Sequence, residues 1–191
     1  MAPTTAVLVN GLDIQQVQGM VEMVKAQPKA AWSTFAATTH WRSGFHNEAS
    51  IKPFTVGGAT NDTTRKQPFR VAGDHPPELL GTDKGPTSVE LLLAALGHCL
   101  ASGWATYGAV MGVSIAALRV EVEGDVDLQG MLGLPEPGAV PPGFQEIRAT
   151  YHVRSSASRE QLAQVAKMAE DLSPTRHSLR AVKFSSQMVA E

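Results

Sequence analysis

The residues of this chain that could carry out chemistry are concentrated in the segment ELLLAALGHCLASGW, residues 90–104, which contains the only cysteine, Cys99. With one cysteine, a disulfide within the chain and a metal site built on cysteines are both excluded. We expect no metal and no cofactor. Cys99 is therefore either an inert packing residue or a nucleophile. Burial among leucines raises the pKa of a thiol, so a reactive Cys99 requires a cation supplied by the tertiary structure.

The sequence offers four candidates for that cation, namely Arg42, His98, Arg65 and Arg70. His98 is adjacent to Cys99, but neighbours on a helix point in different directions. Arg42 ends a strand-like segment just before a turn. From sequence alone, the simpler interpretation is that His98 is a helix residue with partners elsewhere and that Arg42 is a solvated turn residue.

Glu90 has two possible roles. It is the last residue of Thr87-Ser-Val-Glu90, a capping box that begins a helix. It also lies nine residues before Cys99, which places the two on nearly opposite faces of an ideal helix. Glu90 therefore either caps the helix only, or acts on a site at Cys99 from its rim or through Arg42.

The helix that carries Cys99 starts at this capping box and is expected to end near Gly112. No charged residue occurs from Leu91 to Leu118, a length that could span a bilayer. Glycine, serine, threonine and histidine dilute its hydrophobicity, and no basic cluster flanks it. We predict a helix buried on all sides in a soluble protein, with a membrane anchor as the alternative.

The remaining pattern indicates an α+β fold, because helices and hairpin strands do not repeat as βαβ units. A helix is predicted over 13–26, and a second, with a capping box at Ser158, over 158–172. Leu162, Val165, Ala169 and Leu172 are expected to face inward on the second helix. The predicted strands cover 31–42, 49–58, 69–73, 118–128, 146–154 and 181–189. A long loop rich in glycine and proline covers 129–145.

Composition narrows the class of protein. The 191 residues are 43% hydrophobic, enough for the core of one domain, and we assign 1–28 to an N-terminal helical extension and 29–191 to that domain. The net charge of −2 and the lack of a basic stripe argue against nucleic acid as a partner. A single cysteine and the absence of a signal-peptide pattern predict a cytoplasmic protein without a disulfide framework.

Several segments resemble the OsmC/Ohr superfamily of thiol-dependent hydroperoxide reductases. GPTSVELLLAALGHCLA is similar to the central helix of that superfamily, which begins with a Pro-x-Glu-Leu-Leu pattern and ends in a reactive cysteine. ATTHWRSGFHNEAS resembles its arginine-bearing strand and turn, and GDHPPELLGTDKGPTS its glycine-rich entry. AEDLSPTRHSL resembles the segment that holds a second cysteine in many members. The resemblance covers most of 35–190.

This resemblance implies a fold and a set of site residues. The fold is an intertwined homodimer in which antiparallel sheets wrap around long buried central helices, with sites at the subunit interface. Cys99 corresponds to the peroxidatic thiol, Arg42 to the arginine that stabilises its thiolate, and Glu90 to the glutamate that holds the arginine. In the well-known peroxidase branches that glutamate stands one place earlier, where this chain has Val89.

Ser173 occupies the position of the resolving cysteine, which makes this chain similar to a one-cysteine branch. Its own sequence context predicts a helix N-cap followed by proline at the first helical position. The first hypothesis is an enzyme that reduces organic hydroperoxides and is recycled by an external thiol, since no second cysteine is present. The alternative is a protein of the same fold that binds a small apolar ligand without peroxidase activity.

Overall fold

The computed structural model describes residues 8–61 and 63–190, and its elements are those of an α+β protein. The strands are β1 (Leu8–Val9), β2 (Leu12–Asp13), β3 (Ser33–Phe35), β4 (Thr38–Ser43), β5 (His46–Ile51), β6 (Phe54–Val56), β7 (Ala59–Asn61), β8 (Phe69–Gly73), β9 (Ala117–Val126), β10 (Phe144–Arg154) and β11 (Lys183–Ala190). The α-helices are α1 (Ile14–Ala26), α2 (Ser88–Val110), α3 (Leu128–Leu132), α4 (Arg159–Asp171) and α5 (Pro174–Ser178). Short 3₁₀ turns cover Pro28–Ala31 and Pro77–Leu79.

The chain divides into two compact units, and α2 runs from one into the other. The first unit covers residues 15–91, and the second combines residues 8–14 with 92–190. The predicted division at residue 28 is not tested by this partition and stays a prediction.

The second unit is built on a three-stranded sheet in the order β11-β10-β9. β9 and β10 are antiparallel, whereas β10 and β11 are parallel and are joined through α4 and α5. The sequence predicts a helix between these two strands, and α4 and α5 lie there. Helices connect the two strands because parallel neighbours require a crossover rather than a tight turn.

The core of this unit follows from the alternation predicted for β10. Ile147, Ala149, Tyr151 and Val153 are each 1% exposed and lie on one face of the strand, as its period of two residues dictates. Two helices contribute to the same core. Their buried residues are Leu96, Leu100 and Trp104 of α2, and Leu162, Val165 and Ala169 of α4.

Within the single chain, the long apolar helix α2 is buried along one face only, and not on all sides as predicted. Leu96, Leu100 and Trp104 are spaced four residues apart and are fully buried. Val89, Leu92 and Val110 are more than one-third exposed. By length and composition alone, α2 would be able to cross a membrane, as would many core helices of soluble proteins.

A hairpin at the start of the described chain, which sequence analysis did not anticipate, is joined to the end of α2. Asn10 and Gly11 form its turn with φ of 52° and 78°, the left-handed pair that favours the sequence Asn-Gly. The Asn10 side chain donates to the carbonyl oxygens of Ala105 and Val113, and it accepts from the backbone N–H of Ile115. These bonds hold the chain where α2 ends.

Residues 15–91 form two small antiparallel sheets and α1. The sheet orders are β3-β6-β7 and β4-β5-β8, and β4 contains Arg42. The predicted strand 31–42 is thus divided into β3 and β4. The predicted helix at 13–26 is present as α1, and none of its residues is buried.

Asp74 organises the connector between β8 and α2. Its carboxylate is 2% exposed and accepts hydrogen bonds from the backbone N–H groups of His75 and Lys84 and from the Thr82 hydroxyl at 2.6 Å. The hydrogen bond from Thr82, with those from the backbone, holds the pKa of Asp74 far below its usual range against the opposing effect of burial. The loop is thus held together by hydrogen bonds to one charged side chain. Asp74 lies 13 residues before Thr87, which caps the helix that carries Cys99.

Two expectations for the second unit need correction. Leu172 does not face inward, because α4 ends at Asp171 and the Leu172 side chain is 57% exposed. The predicted loop 129–145 is interrupted by α3, which begins where the Asp127 carboxylate accepts from the backbone N–H of Gln129.

Replacement of Asp74 by asparagine tests the role of this loop anchor. We expect Asp74→Asn to lower the melting temperature at neutral pH by more than about 3 °C, since charge-assisted bonds are lost from a chain of this size. A depressed folded-state pKa stabilises the protein above the unfolded value near 4, and this stabilisation disappears as the pH falls towards the folded value. The difference between the two melting temperatures should therefore shrink below about pH 4.

The exposed neighbour Asp83, which has a φ of 55° that asparagine also adopts, provides the matched control Asp83→Asn. Calorimetry between pH 2.5 and 8 measures both variants. A pH-independent deficit, or an equal deficit in the control, would contradict the assignment.

Candidate active site around Cys99

Cys99 is brought to α4 and α5 by a close approach of two helices at Gly103. A Cβ atom on Gly103 would lie 3.0 Å from the Cα atom of Ala169, so only glycine allows this spacing without a shift. Cys99 lies one turn before Gly103, and Ser173 lies one turn after Ala169. The half-buried thiol therefore faces the start of α5.

The start of α5 contributes a hydroxyl group to the thiol. Ser173 is 3% exposed, and its Oγ atom lies 3.0 Å from Cys99 Sγ, to which it donates. The same oxygen accepts a hydrogen bond from the backbone N–H of Arg176 at 3.1 Å. The predicted N-cap role of Ser173, with Pro174 at the first helical position, is confirmed.

These contacts change the acidity of the thiol. Burial raises the pKa of Cys99, but hydrogen bonds from the Ser173 hydroxyl and from the hydroxyl and backbone of Thr175 more than offset it. The net pKa of Cys99 lies below that of an ordinary thiol, because donors to sulfur stabilise the thiolate. A thiolate is the reactive form of cysteine.

An open cavity of about 190 Å³ gives access to the sulfur. Besides Cys99 and Ser173, it is lined by Ser102, Gly103, Thr106, Tyr107, Ala169, Leu172 and Pro174. Leu172 also borders a second, largely apolar cavity of about 370 Å³, together with Met111, Gln164, Lys167, Met168 and Asp171. A small molecule with an apolar portion has room beside the thiol.

Arg42 lies in the other unit, on β4, where its guanidinium pairs with the Glu48 carboxylate at 3.5 Å. Arg70 pairs with the same carboxylate at 2.6 Å. The Arg42 side chain is 52% exposed, and an exposed pair of this kind contributes little to stability. Arg42 is therefore a surface cation of its unit, and its predicted role towards Cys99 stays a prediction.

Glu90 acts as the predicted helix cap. Its carboxylate accepts hydrogen bonds from the backbone N–H and the hydroxyl of Thr87, both at 2.7 Å, and its own N–H donates to the Thr87 hydroxyl. The bond from the Thr87 backbone, followed by that from its hydroxyl, lowers the pKa of Glu90. Within residues 15–91, Arg42 and Glu90 pair with Glu48 and Thr87 rather than with each other. The part of Glu90 in a site at Cys99 stays a prediction.

The other two candidate cations, Arg65 and His98, differ in their surroundings. The Arg65 guanidinium lies over the rings of Phe54 and Phe69, 5.1 and 4.9 Å from their centroids, and donates to the carbonyl oxygen of Lys52. His98 is exposed on α2. Across residues 8–61 and 63–190, no group of three or more histidine, cysteine or acidic side chains is arranged to hold a metal ion.

Sequence reasoning missed the donors that act on Cys99. Sequence reasoning required a cation, whereas the groups that lower the pKa of the thiol are uncharged donors of Ser173 and Thr175. The available signal was the run Ser173-Pro174-Thr175, which marks a helix start and therefore a set of free donors. Nothing in the sequence pointed those donors at residue 99.

Comparisons with known proteins agree on the fold. The sequence profile of a family described as OsmC-like protein matches residues 81–187, more than half of the chain. The search of curated proteins finds no match.

Among solved structures, an OsmC-like protein from Mycoplasma pneumoniae is 15% identical with a TM-score of 0.60, and the match covers 82% of this chain and 96% of that one. An organic hydroperoxide resistance protein OsmC from Legionella pneumophila is 16% identical with a TM-score of 0.54, covering 81% and 96%. An organic hydroperoxide resistance protein from Elizabethkingia anophelis is 13% identical with a TM-score of 0.57, covering 83% and 96%. At these identities, the likeness is one of fold.

A pair of glycine substitutions tests the close approach of α2 and α4. We expect Gly103→Ala to destabilise the protein, because overpacking costs about 1–3 kcal/mol and outweighs the gain of about 1 kcal/mol in helix propensity. Gly97→Ala is the matched control on the same helix. Its Cβ would lie 3.5 Å from Val122 Cγ2, an ordinary contact, so it should be neutral or stabilising. Urea denaturation measures both, and equal stabilities would contradict this account.

Proposed function

This chain belongs to the OsmC-like protein family, and we propose that it reduces organic hydroperoxides with Cys99 as its one redox-active residue. The observation that carries the proposal is the environment of the sulfur. Cys99 Sγ accepts a hydrogen bond from the buried Ser173 hydroxyl and borders an open cavity. A stabilised thiolate with access to a small molecule is what attack on a peroxide requires.

The first step of the proposed reaction oxidises the thiolate. Cys99 Sγ attacks the terminal oxygen of the hydroperoxide, so an S–O bond forms as the O–O bond breaks. The alkoxide that leaves takes up a proton and departs as an alcohol. Cys99 is left as a sulfenic acid, the first and reversible stage of cysteine oxidation.

The second step restores the thiol with an external reductant. Ser173 stands where a second cysteine would otherwise react with the sulfenic acid, so no disulfide forms within the chain. A small external thiol attacks the sulfenic acid, releasing water and forming a mixed disulfide with Cys99. A second thiol group then attacks the external sulfur of this bond, which releases the Cys99 thiolate and a small-molecule disulfide.

The surroundings of the sulfur favour an organic peroxide. The cavity beside Cys99 adjoins, at Leu172, the apolar cavity that includes Met111 and Met168. Apolar walls favour an alkyl hydroperoxide over hydrogen peroxide, because burial of the alkyl group contributes about 0.8 kcal/mol per methylene to binding. The proposed substrates are therefore hydroperoxides with an apolar tail.

Arg42 and Glu90 complete the proposed site by resemblance. Arg42 would supply positive charge to the thiolate, and Glu90 would hold the arginine.

We further propose that the chain acts as a cytoplasmic homodimer. The exposed apolar residues on α2 support an interface between two copies of the chain, namely Val89, Leu92 and Val110. Contact with a second copy would remove these side chains from water and so stabilise the dimer.

A second candidate function rests on the apolar cavity of about 370 Å³ that Leu172 borders. Its apolar lining of methionines and Leu172 also suits a bound small apolar ligand, with Cys99 as a packing residue. Under this alternative, substitution of Cys99 leaves the properties of the protein unchanged.

Sulfenic acid trapping separates the two functions. We expect reduced protein mixed with one equivalent of an organic hydroperoxide to form a trappable sulfenic acid at Cys99, measured by mass spectrometry. Cys99→Ser should give none. Arg42→Ala should slow the modification by about tenfold or more, because a nearby cation typically lowers an acid's pKa by one unit or more.

Arg70→Ala is the matched control for Arg42→Ala, since both guanidiniums pair with Glu48 and only Arg42 corresponds to the family's arginine. The control should react at the parent rate. Oxidation no faster than that of a free thiol would instead favour the ligand-binding alternative. Equal effects of the two arginine variants would remove Arg42 from the proposed site.

A restored second thiol tests the one-cysteine cycle. Since Ser173 Oγ lies 3.0 Å from Cys99 Sγ, we expect Ser173→Cys to form a disulfide within the chain after peroxide treatment, with loss of water from the sulfenic acid. Mass spectrometry of tryptic peptides detects the crosslink. Ser178→Cys, on the far end of α5, is the control that should not crosslink. A persistent sulfenic acid in Ser173→Cys would contradict the geometry.

A further inference from the structure

We propose that Ser173 stabilises the thiolate of Cys99 and sets its reactivity, so that the residue standing in place of a second cysteine has a direct role at the site. This inference deepens the proposed function and rests on it. It assigns to Ser173 the stabilisation of the charged sulfur through the Ser173 Oγ–H···Sγ hydrogen bond.

The direction of this hydrogen bond follows from the other partner of the serine. A hydroxyl group has one hydrogen to donate and two lone pairs that accept. Ser173 Oγ accepts the backbone N–H of Arg176 at 3.1 Å, and it lies 3.0 Å from Cys99 Sγ. With an N–H already directed at its oxygen, the Ser173 hydrogen points to the sulfur. Donation by the Arg176 N–H also polarises the hydroxyl and strengthens its bond to a charged acceptor.

Burial makes the bond effective. Ser173 is 3% exposed, so water does not replace the sulfur as its partner. A thiolate can accept this bond but has no hydrogen to offer in exchange, so the fixed donor favours the charged state of Cys99 over the neutral one. Thr175, two residues along, adds its own donors to the same sulfur.

The serine is held in place by the anchoring of α5. The Arg176 guanidinium lies over the ring of Phe184, 4.8 Å from its centroid, and so attaches α5 to β11. A ring nitrogen of His177 lies 2.7 Å from the carbonyl oxygen of Asp171, at the end of α4. Arg176 and His177 are positioning residues in this scheme, because they act on Cys99 only through the orientation of Ser173.

Other titratable groups do not account for the same effect. Among the residues that line the cavity, Cys99 and Tyr107 are the two with titratable side chains. Asp171 and Lys167 of α4 form a pair of their own, and His98 on α2 is exposed. Arg42 belongs to the proposed site by resemblance, and its effect is separated from that of Ser173 by its own variant.

The test separates the donor role of Ser173 from its capping role. Glycine at an N-cap costs only a few tenths of a kcal/mol relative to serine, so Ser173→Gly removes the hydroxyl while changing the stability of the start of α5 little. Ser173→Thr keeps both roles. Ser178→Ala is the control, because the Ser178 hydroxyl bonds to the Pro174 carbonyl oxygen within the same helix.

The first readout uses no peroxide. The alkylation rate of Cys99 by iodoacetamide, measured between pH 5 and 10 on the reduced full-length protein, gives the apparent pKa of the thiol. We expect Ser173→Gly to raise it by about one unit, with about tenfold slower alkylation at pH 7, as for loss of one hydrogen bond to a charged group. Ser173→Thr and Ser178→Ala should keep the parent profile.

The second readout is the rate of sulfenic acid formation with an organic hydroperoxide. It should fall in Ser173→Gly in proportion to the thiolate fraction. If Ser173→Gly loses its structure by circular dichroism, Ser173→Ala replaces it, since alanine also lacks the hydroxyl, introduces no charge and adopts the extended backbone of Ser173 without the freedom of glycine. This substitution should raise the pKa of Cys99 as far as Ser173→Gly does.

The inference is overturned if Ser173→Gly keeps the parent alkylation profile, or if Ser173→Thr shifts it as far as Ser173→Gly. The proposed function fails in a different way. The parent protein could fail to be oxidised by peroxide while its alkylation profile still depends on Ser173. In that case the role of Ser173 as a donor to the thiolate is supported, and the proposed peroxidase function is wrong.

Discussion

The contact between α2 and α4 at Gly103 and Ala169 is the constraint on which the rest of the site depends. A Cβ atom on Gly103 would come within 3.0 Å of Ala169, so the two helices meet almost backbone to backbone. Because they pass each other in opposite directions, one turn back on α2 and one turn onward from Ala169 bring Cys99 and Ser173 together. The absence of a side chain at Gly103 thus permits the close packing in which Ser173 Oγ lies 3.0 Å from Cys99 Sγ.

That contact also determines how the thiol is activated. Partial burial of Cys99 disfavours the charged form of its thiol, and a nearby cation is the usual compensation. Here, Ser173 and Thr175 at the start of α5 supply uncharged donors within one rigid turn of chain. Fixed dipoles achieve part of what a guanidinium does without burying a second charge. The arginine implied by resemblance would then add to an acidity that the fold itself has already produced.

Residues 15–91 contain the residues that determine where α2 begins. Asp74 draws the connector into a closed loop, and the reciprocal bonds between Thr87 and Glu90 begin the helix at a defined residue. A helix that began one residue later would still place Cys99 on the same face, but its first turn would lose its cap. The capping role of Glu90 and the role implied by resemblance draw on the same carboxylate, so a Glu90 variant reports on both.

Much of this protein was determined by its sequence alone. The alternation of Ile147, Ala149, Tyr151 and Val153 predicted a buried strand face, and all four are in the core. The capping boxes at Thr87 and Ser158, and the N-cap at Ser173, predicted helix starts that the structure has. These features depend on residues within a few positions of one another, where steric and hydrogen-bonding rules act locally. The tertiary structure alone decided the parallel pairing of β10 with β11, the exposure of Leu172 and the meeting of Ser173 with Cys99. Ser173 and Cys99 are 74 positions apart in the sequence. Their contact depends on how two helices pack, which no local sequence pattern encodes.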